Sequence, residues 1–69
     1  MRRRAVESSV IRSVGYEQAT AILEIEFQTD RKYRYFAVPR SIYQGLMAAP
    51  SAGTYFNQHI RDRYPDERI

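Results

Sequence analysis

Ala21-Ile22-Leu23-Glu24-Ile25-Glu26-Phe27, then Gln28-Thr29-Asp30, then Arg31-Lys32-Tyr33-Arg34-Tyr35-Phe36-Ala37-Val38, reads as two strands joined by a tight turn. Leu23, Ile25 and Phe27 fall to one side and Glu24 and Glu26 to the other, the period-2 pattern of a half-buried strand. The second run alternates as well and is rich in aromatic and β-branched types that suit a pleated surface. Loop parity fixes which residues meet. A three-residue loop, with Asp30 in the left-handed conformation that Asp tolerates, sets Ile25 against Tyr33 and Leu23 against Tyr35 on the core side. Glu26 then meets Lys32 and Glu24 meets Arg34 outside. A two-residue Thr29-Asp30 loop would instead place Lys32 and Arg34 over the apolar face, where an unpaired charge costs more than an exposed opposite-charge pair contributes, about 0.2–1 kcal/mol. The odd loop is the better reading, and it turns both tyrosine rings toward the core.

Working outward toward the N-terminus, Ser9-Val10-Ile11-Arg12-Ser13-Val14-Gly15-Tyr16 is a third strand, joined to the second through Glu17-Gln18-Ala19-Thr20. Its alternation is imperfect, since Ile11 falls opposite Val10, Val14 and Tyr16, and Gly15 is the expected bulge. On the C-terminal side the period changes. Pro39 suits a first helical turn, and Ile42, Tyr43, Leu46 and Met47 form one helical stripe that Pro50 ends. Ser51 is an N-cap for a second helix, Ala52 to about Arg63, with an apolar stripe of Phe56 and Ile60, Tyr55 and Tyr64 at its margins, and Pro65 as its stop. The expected fold is α+β: a three-stranded antiparallel meander followed by two helices packed on one sheet face. Residues 1–5 read as a flexible basic arm, 6–64 as the domain and 65–69 as a tail.

The chain has 69 residues, 43% apolar and 28% charged, with no cysteine. That allows one small core and excludes a disulfide framework or a cysteine metal site. No window approaches the roughly 18 consecutive apolar residues of a membrane span. Met1-Arg2-Arg3-Arg4 is followed by Ala5-Val6-Glu7-Ser8-Ser9 rather than by an apolar stretch, so no secretory signal is read and the cytoplasm is the expected compartment. The net charge of +3 suggests a nucleic-acid partner, but it belongs to Arg2, Arg3 and Arg4; the remaining eight basic residues face eight acidic ones.

Val6-Glu7-Ser8-Ser9, Gly15-Tyr16, Tyr33-Arg34-Tyr35, Val38-Pro39 and Ala49-Pro50-Ser51-Ala52-Gly53-Thr54-Tyr55-Phe56-Asn57, with Ile60-Arg61 and Tyr64, together resemble the KTSC domain. That family occurs at the C-terminus of some lysyl-tRNA synthetases and as small stand-alone bacterial and phage proteins. The resemblance runs from about Val6 to Tyr64; Tyr33, Tyr35, Ser51, Gly53 and Phe56 are its motif residues here. Asp30 departs from the glycine the family often has, but keeps the turn feasible. What the resemblance implies about function is limited to a suggestion of RNA binding.

Tyr33-Arg34-Tyr35 with Arg31 and Lys32 could form a stacking platform for bases, at about 1–3 kcal/mol each. The competing reading, favoured by the register, makes both rings core. Ser51-Ala52-Gly53 could hold an anion at a helix start, but an N-cap plus a close packing contact explains the same residues. His59 lies at helical spacing from Asp62 and Arg63; it is read as a solvated helix-face residue, because the chain offers no further metal ligands and no nucleophile motif. Ser8 and Ser9 are read as bonding strand-edge backbone. Arg61, Arg63 and Arg68 gather near the C-terminus, where cations suit a helix end.

These residues describe a non-catalytic binding module without cofactor or metal. Its expected ligand is RNA, contacted by Arg2, Arg3, Arg4, Arg31, Lys32, Arg34, Arg61 and Arg63. The alternative is a protein-interaction module using an exposed strand edge or the outer sheet face around Phe36 and Tyr16.

Overall fold

A computed structural model of the chain describes residues 3–69. The order is β1 (Arg3–Ala5), β2 (Ile11–Glu17), β3 (Ile22–Phe27), β4 (Lys32–Tyr35), α1 (Arg40–Ala48), α2 (Ala52–His59) and β5 (Asp66–Arg68). All neighbours in the sheet are antiparallel, and the spatial order follows the chain order. The fold is α+β as expected, but the sheet has five strands rather than three. The two additional strands are the edges. Arg3-Arg4-Ala5, read from sequence as part of an arm, pairs with Gly15, Val14 and Ser13. Asp66-Glu67-Arg68, read as tail, pairs with Tyr35, Arg34 and Tyr33. Both are exposed along their whole length, so they are held by backbone pairing and carry no apolar alternation.

The central hairpin has the register that loop parity demanded: Leu23 opposite Tyr35, Glu24 opposite Arg34, Ile25 opposite Tyr33 and Glu26 opposite Lys32. Asp30 has φ 68°, the left-handed conformation assigned to it, and its amide donates to the Phe27 carbonyl at 3.0 Å. β2 carries a bulge, placed at Arg12 and not at Gly15: Ile11 pairs with Phe27 while Ser13 pairs with Glu26. The extra residue rotates Ile11 onto the face of Val14 and Tyr16, which repairs the broken alternation. Ile11 and Val14 are accordingly fully buried.

The two helices cover that face. Pro39 is the N-cap of α1, one position earlier than a first-turn proline, and α1 ends before Pro50 as expected. Gly45 of α1 faces Tyr55 of α2 so closely that a Cβ there would overlap the tyrosine ring and hydroxyl. The Ser51 Oγ caps α2 by accepting from the Thr54 amide at 3.3 Å. α2 stops at His59, earlier than Arg63, because the Ile60 and Arg61 amides both return to the Phe56 carbonyl and Asp62 turns left-handed at φ 60°. Leu23, Ile25, Tyr35, Val38, Leu46, Phe56 and Ile60 meet in the core with Ile11 and Val14. None of the helices of the described residues is long and apolar enough to cross a membrane.

Candidate functional site

The two faces of the sheet hold their charges differently. On the outer face one transverse row runs Arg3, Gly15, Glu24, Arg34, Glu67 across all five strands. Glu24 is only 7% exposed, yet it is ion-paired on both sides, to Arg3 and to Arg34, the latter at 3.2 Å. Gly15, lying between Arg3 and Glu24, presents no side chain, so the arginine crosses β2 unobstructed. In the next row Ser13 Oγ donates to Glu26 at 2.9 Å, while Arg12 reaches Glu26 at 3.7 Å and also Asp30. Lys32 lies opposite Glu26. Three of the proposed RNA-contacting arginines and lysines, Arg3, Lys32 and Arg34, thus stand in a charge-balanced ladder, a poor track for phosphates.

The helix-covered face opens at one end into a groove of about 330 Å³ between β4, β5 and α2. Four rings form its floor as a closed quadrilateral. Phe27 meets Tyr33 edge to face at 5.8 Å, Tyr33 meets Tyr35 at 6.4 Å, Tyr35 meets Phe56 at 5.5 Å, and Phe56 returns to Phe27 at 5.3 Å. Such pairs add about 0.5–1.5 kcal/mol each beyond area burial. Tyr35 and Phe56 are buried, whereas Tyr33 and Phe27 are half-buried and reach the groove. The question of core or platform therefore divides: Tyr35 is core, and Tyr33 is a core-packed ring with one side turned to the groove.

The rim carries Arg31, Arg61, Asp62 and Asp66 with Val10 and Asn57. Among the described residues no ion pair engages these four charged side chains. Asp66, opposite Tyr35 on β5, leans on the tyrosine electrostatically. Burial first, and then the negative charge of Asp66, push the Tyr35 hydroxyl up to about 12, with Tyr33 and Asp62 adding and Arg61 opposing. The Tyr35 phenol is therefore a neutral O–H donor at any physiological pH.

The remaining sequence candidates are scattered. Arg2 lies outside the described residues. Arg4 is on the opposite side of β1 from Arg3, beside Tyr43, Gln44 and Met47 of α1. Arg63 Nε donates to the Gln58 carbonyl at 2.8 Å. β1 and β5 are opposite edges of the sheet, four strand spacings or about 19 Å apart, which separates Arg3 from Arg68. Gly53 is a packing contact: a Cβ there would come within 3.3 Å of Val10. Ser8 Oγ accepts from the Val10 and Ile11 amides at 3.1 and 3.2 Å, the backbone role read for it. His59 is exposed and its ring lies tilted against Tyr55 at 4.4 Å; because α2 ends there, Asp62 and Arg63 do not continue its helix face. Tyr16, assigned to the outer face, points the other way: it stacks on Tyr43 at 4.8 Å and donates to the Val38 carbonyl at 2.7 Å. Tyr16 lies two residues beyond Val14 in regular register, and so on the same, helix-covered face. Phe27, Asp62 and Asp66 also belong to the groove; they come from β3, from the loop after α2 and from β5, and no local spacing announces their meeting.

The architecture defines a small α+β domain in which one face of an antiparallel sheet is closed by two helices and the other is a ladder of paired charges. The chain belongs to the KTSC domain family, whose model matches residues 7–64. It is 44% identical over 64 residues to an uncharacterized protein of Stutzerimonas stutzeri, covering 93% of this chain and 90% of that one. It is 43% identical over 63 residues to a lysine–tRNA ligase of Nostoc punctiforme, where the match covers 91% of this chain and only 11% of the enzyme. A crystal structure of a KTSC domain protein from Yersinia pestis superposes with a TM-score of 0.96 at 35% identity, covering 99% of this chain and 96% of that one.

Proposed function

We propose that this protein is a non-catalytic binding module for unpaired RNA and that the groove over Tyr33 is where it binds. The observation that carries the reading is the combination of half-buried aromatic rings with Arg31 and Arg61, two arginines that have no carboxylate within ion-pair distance among the described residues. A ring face stacks any base and a free guanidinium donates to a phosphate, the two contacts that hold a single strand. The likeness to a segment of a lysine–tRNA ligase supports the same ligand class. At about 330 Å³ the groove is near the low end of small-molecule sites, roughly 300–1,000 Å³, which suits one nucleotide and not a duplex.

Fluorescence anisotropy with single-stranded RNA and with tRNA at two salt concentrations tests it. Binding is expected at low salt and weakens as salt rises; Arg31→Ala and Arg61→Ala each reduce the logarithmic salt slope by about one. Arg34→Ala, in the paired ladder, leaves it nearly unchanged. No binding at low salt, or binding indifferent to Arg31 and Arg61, overturns the proposal.

The alternative, a protein-interaction module, has less behind it. Each sheet edge is a three-residue strand bearing charged side chains, the standard means by which edges avoid further pairing. Phe36 is half-buried, Tyr16 is turned inward, and the outer face around them is charged and self-paired.

A further inference from the structure

We propose that the groove selects an unpaired guanine, with Asp66 as the residue that reads it; the inference rests on the RNA-binding reading above and names the base. Two carboxylates, Asp62 and Asp66, stand on the rim. For a site that held only phosphate, Asp62 and Asp66 would be a handicap, because they cancel the charge of Arg31 and Arg61. Neither is ion-paired among the described residues, unlike Glu24, Glu26 and Asp30 on the other face. A free carboxylate beside an aromatic floor offers two oxygen acceptors and no donor.

Guanine is the base that such a group fits. Its Watson–Crick edge carries N1–H and the N2 amino group side by side, two donors spaced for the two oxygens of one carboxylate. Adenine and cytosine each set a single amino group beside a ring nitrogen acceptor, which a carboxylate repels, and uracil flanks one N–H with two carbonyls. The third guanine group on that edge, O6, needs a donor. Tyr35 supplies one: it is the cross-strand partner of Asp66, and its hydroxyl remains protonated far above neutral pH. The half-buried rings of Tyr33 and Phe27 provide the stacking surface. Arg31 lies four residues along the chain from Tyr35, roughly 13 Å, at the turn end of the groove, which leaves room for the sugar and phosphate between reading and anchoring groups. Charges of both signs on one rim, a defect in a phosphate track, are what a base-reading groove requires.

The experiment uses the full chain and five end-labelled RNA pentamers, uridines with a central G, inosine, A, C or U, titrated by anisotropy at low salt. The central-G pentamer is expected to bind about tenfold tighter than the central-A one, in the range a bidentate base contact supplies. Inosine, which lacks the 2-amino group, loses most of that gain. Asp66→Asn removes the preference while binding the A pentamer at least as well, since it deletes a negative charge from an exposed edge strand; circular dichroism confirms that it folds. Equal binding of all five pentamers, or a G preference that survives in Asp66→Asn, overturns the guanine assignment and leaves the RNA-binding reading standing. If no pentamer binds, both fall.

Discussion

The two faces of the sheet put their charged groups to opposite use. On the outer face Arg3, Arg12 and Arg34 are engaged by Glu24, Glu26 and Asp30, so their charge is already neutralised at close range. On the groove face Arg31, Arg61, Asp62 and Asp66 ring an aromatic floor and, among the described residues, none of them is ion-paired. A surface is available to a ligand according to what its groups do not already bind, and counting basic residues along the chain cannot reveal that. The net charge of +3 therefore says little about where a partner docks.

Four changes would break or sharpen this contrast. The largest effect should come from the face that carries the core: Ile25 is fully buried, and Ile25→Ala is expected to cost about 2–5 kcal/mol in urea or thermal unfolding. A loss below 1 kcal/mol would mean that the helices are not packed as described. Next is the alkaline limb of the stability curve. The Tyr35 hydroxyl is pushed up from 10.0 to about 12, so the folded protein holds this proton more tightly than the unfolded chain does. Stability from this group is complete below pH 10 and declines as pH rises from 10 to 12, by about 2–3 kcal/mol over the window. Tyr35→Phe should flatten that part of the decline, and identical slopes in the two proteins would sink the assignment.

The outer ladder should respond less. Glu24→Gln keeps the shape but leaves Arg3 and Arg34 without their shared carboxylate, at an expected cost of about 1–3 kcal/mol, most of it remaining at moderate salt because Glu24 is only 7% exposed. A change indistinguishable from zero would make the ladder a surface decoration. The smallest effect is a gain. Ala37 has φ 59°, a conformation that costs an L-residue about 1–2 kcal/mol and glycine almost nothing. Ala37→Gly returns part of this as extra freedom of the unfolded chain, so melting should rise by the equivalent of about 0.5–1 kcal/mol. A lower melting temperature would show that the alanine methyl makes a needed contact.

How much of this was readable beforehand follows from where the information lies. The β3–β4 hairpin was legible down to its residue pairs, because a period-2 pattern on both strands and one loop of odd length leave a single register that buries Leu23, Ile25, Tyr33 and Tyr35. The Ser51 cap was legible because it acts within three residues of itself. β1 and β5 were not, since Arg3-Arg4-Ala5 and Asp66-Glu67-Arg68 become strands only when a neighbouring edge offers its backbone. The end of α2 was not, because Pro65 marks only the last residue a helix could reach, whereas the stop is the left-handed turn at Asp62. Of the groove, Tyr33, Tyr35, Phe56, Arg31 and Arg61 were singled out for separate reasons, but their convergence with Phe27, Asp62 and Asp66 depends on tertiary packing.

The bulge at Arg12 bears on how this chain tolerates changes of length. Elsewhere in β2 the removal of one residue would exchange the two faces of everything on one side of the cut, sending apolar side chains into water. Between Ile11 and Val14 two residues already do the work of one, so deleting either Arg12 or Ser13 would leave Ile11, Val14 and Tyr16 in phase and only straighten the strand. That short stretch is the position in the strand where a one-residue deletion in the reading frame is a matter of local shape and not of fold.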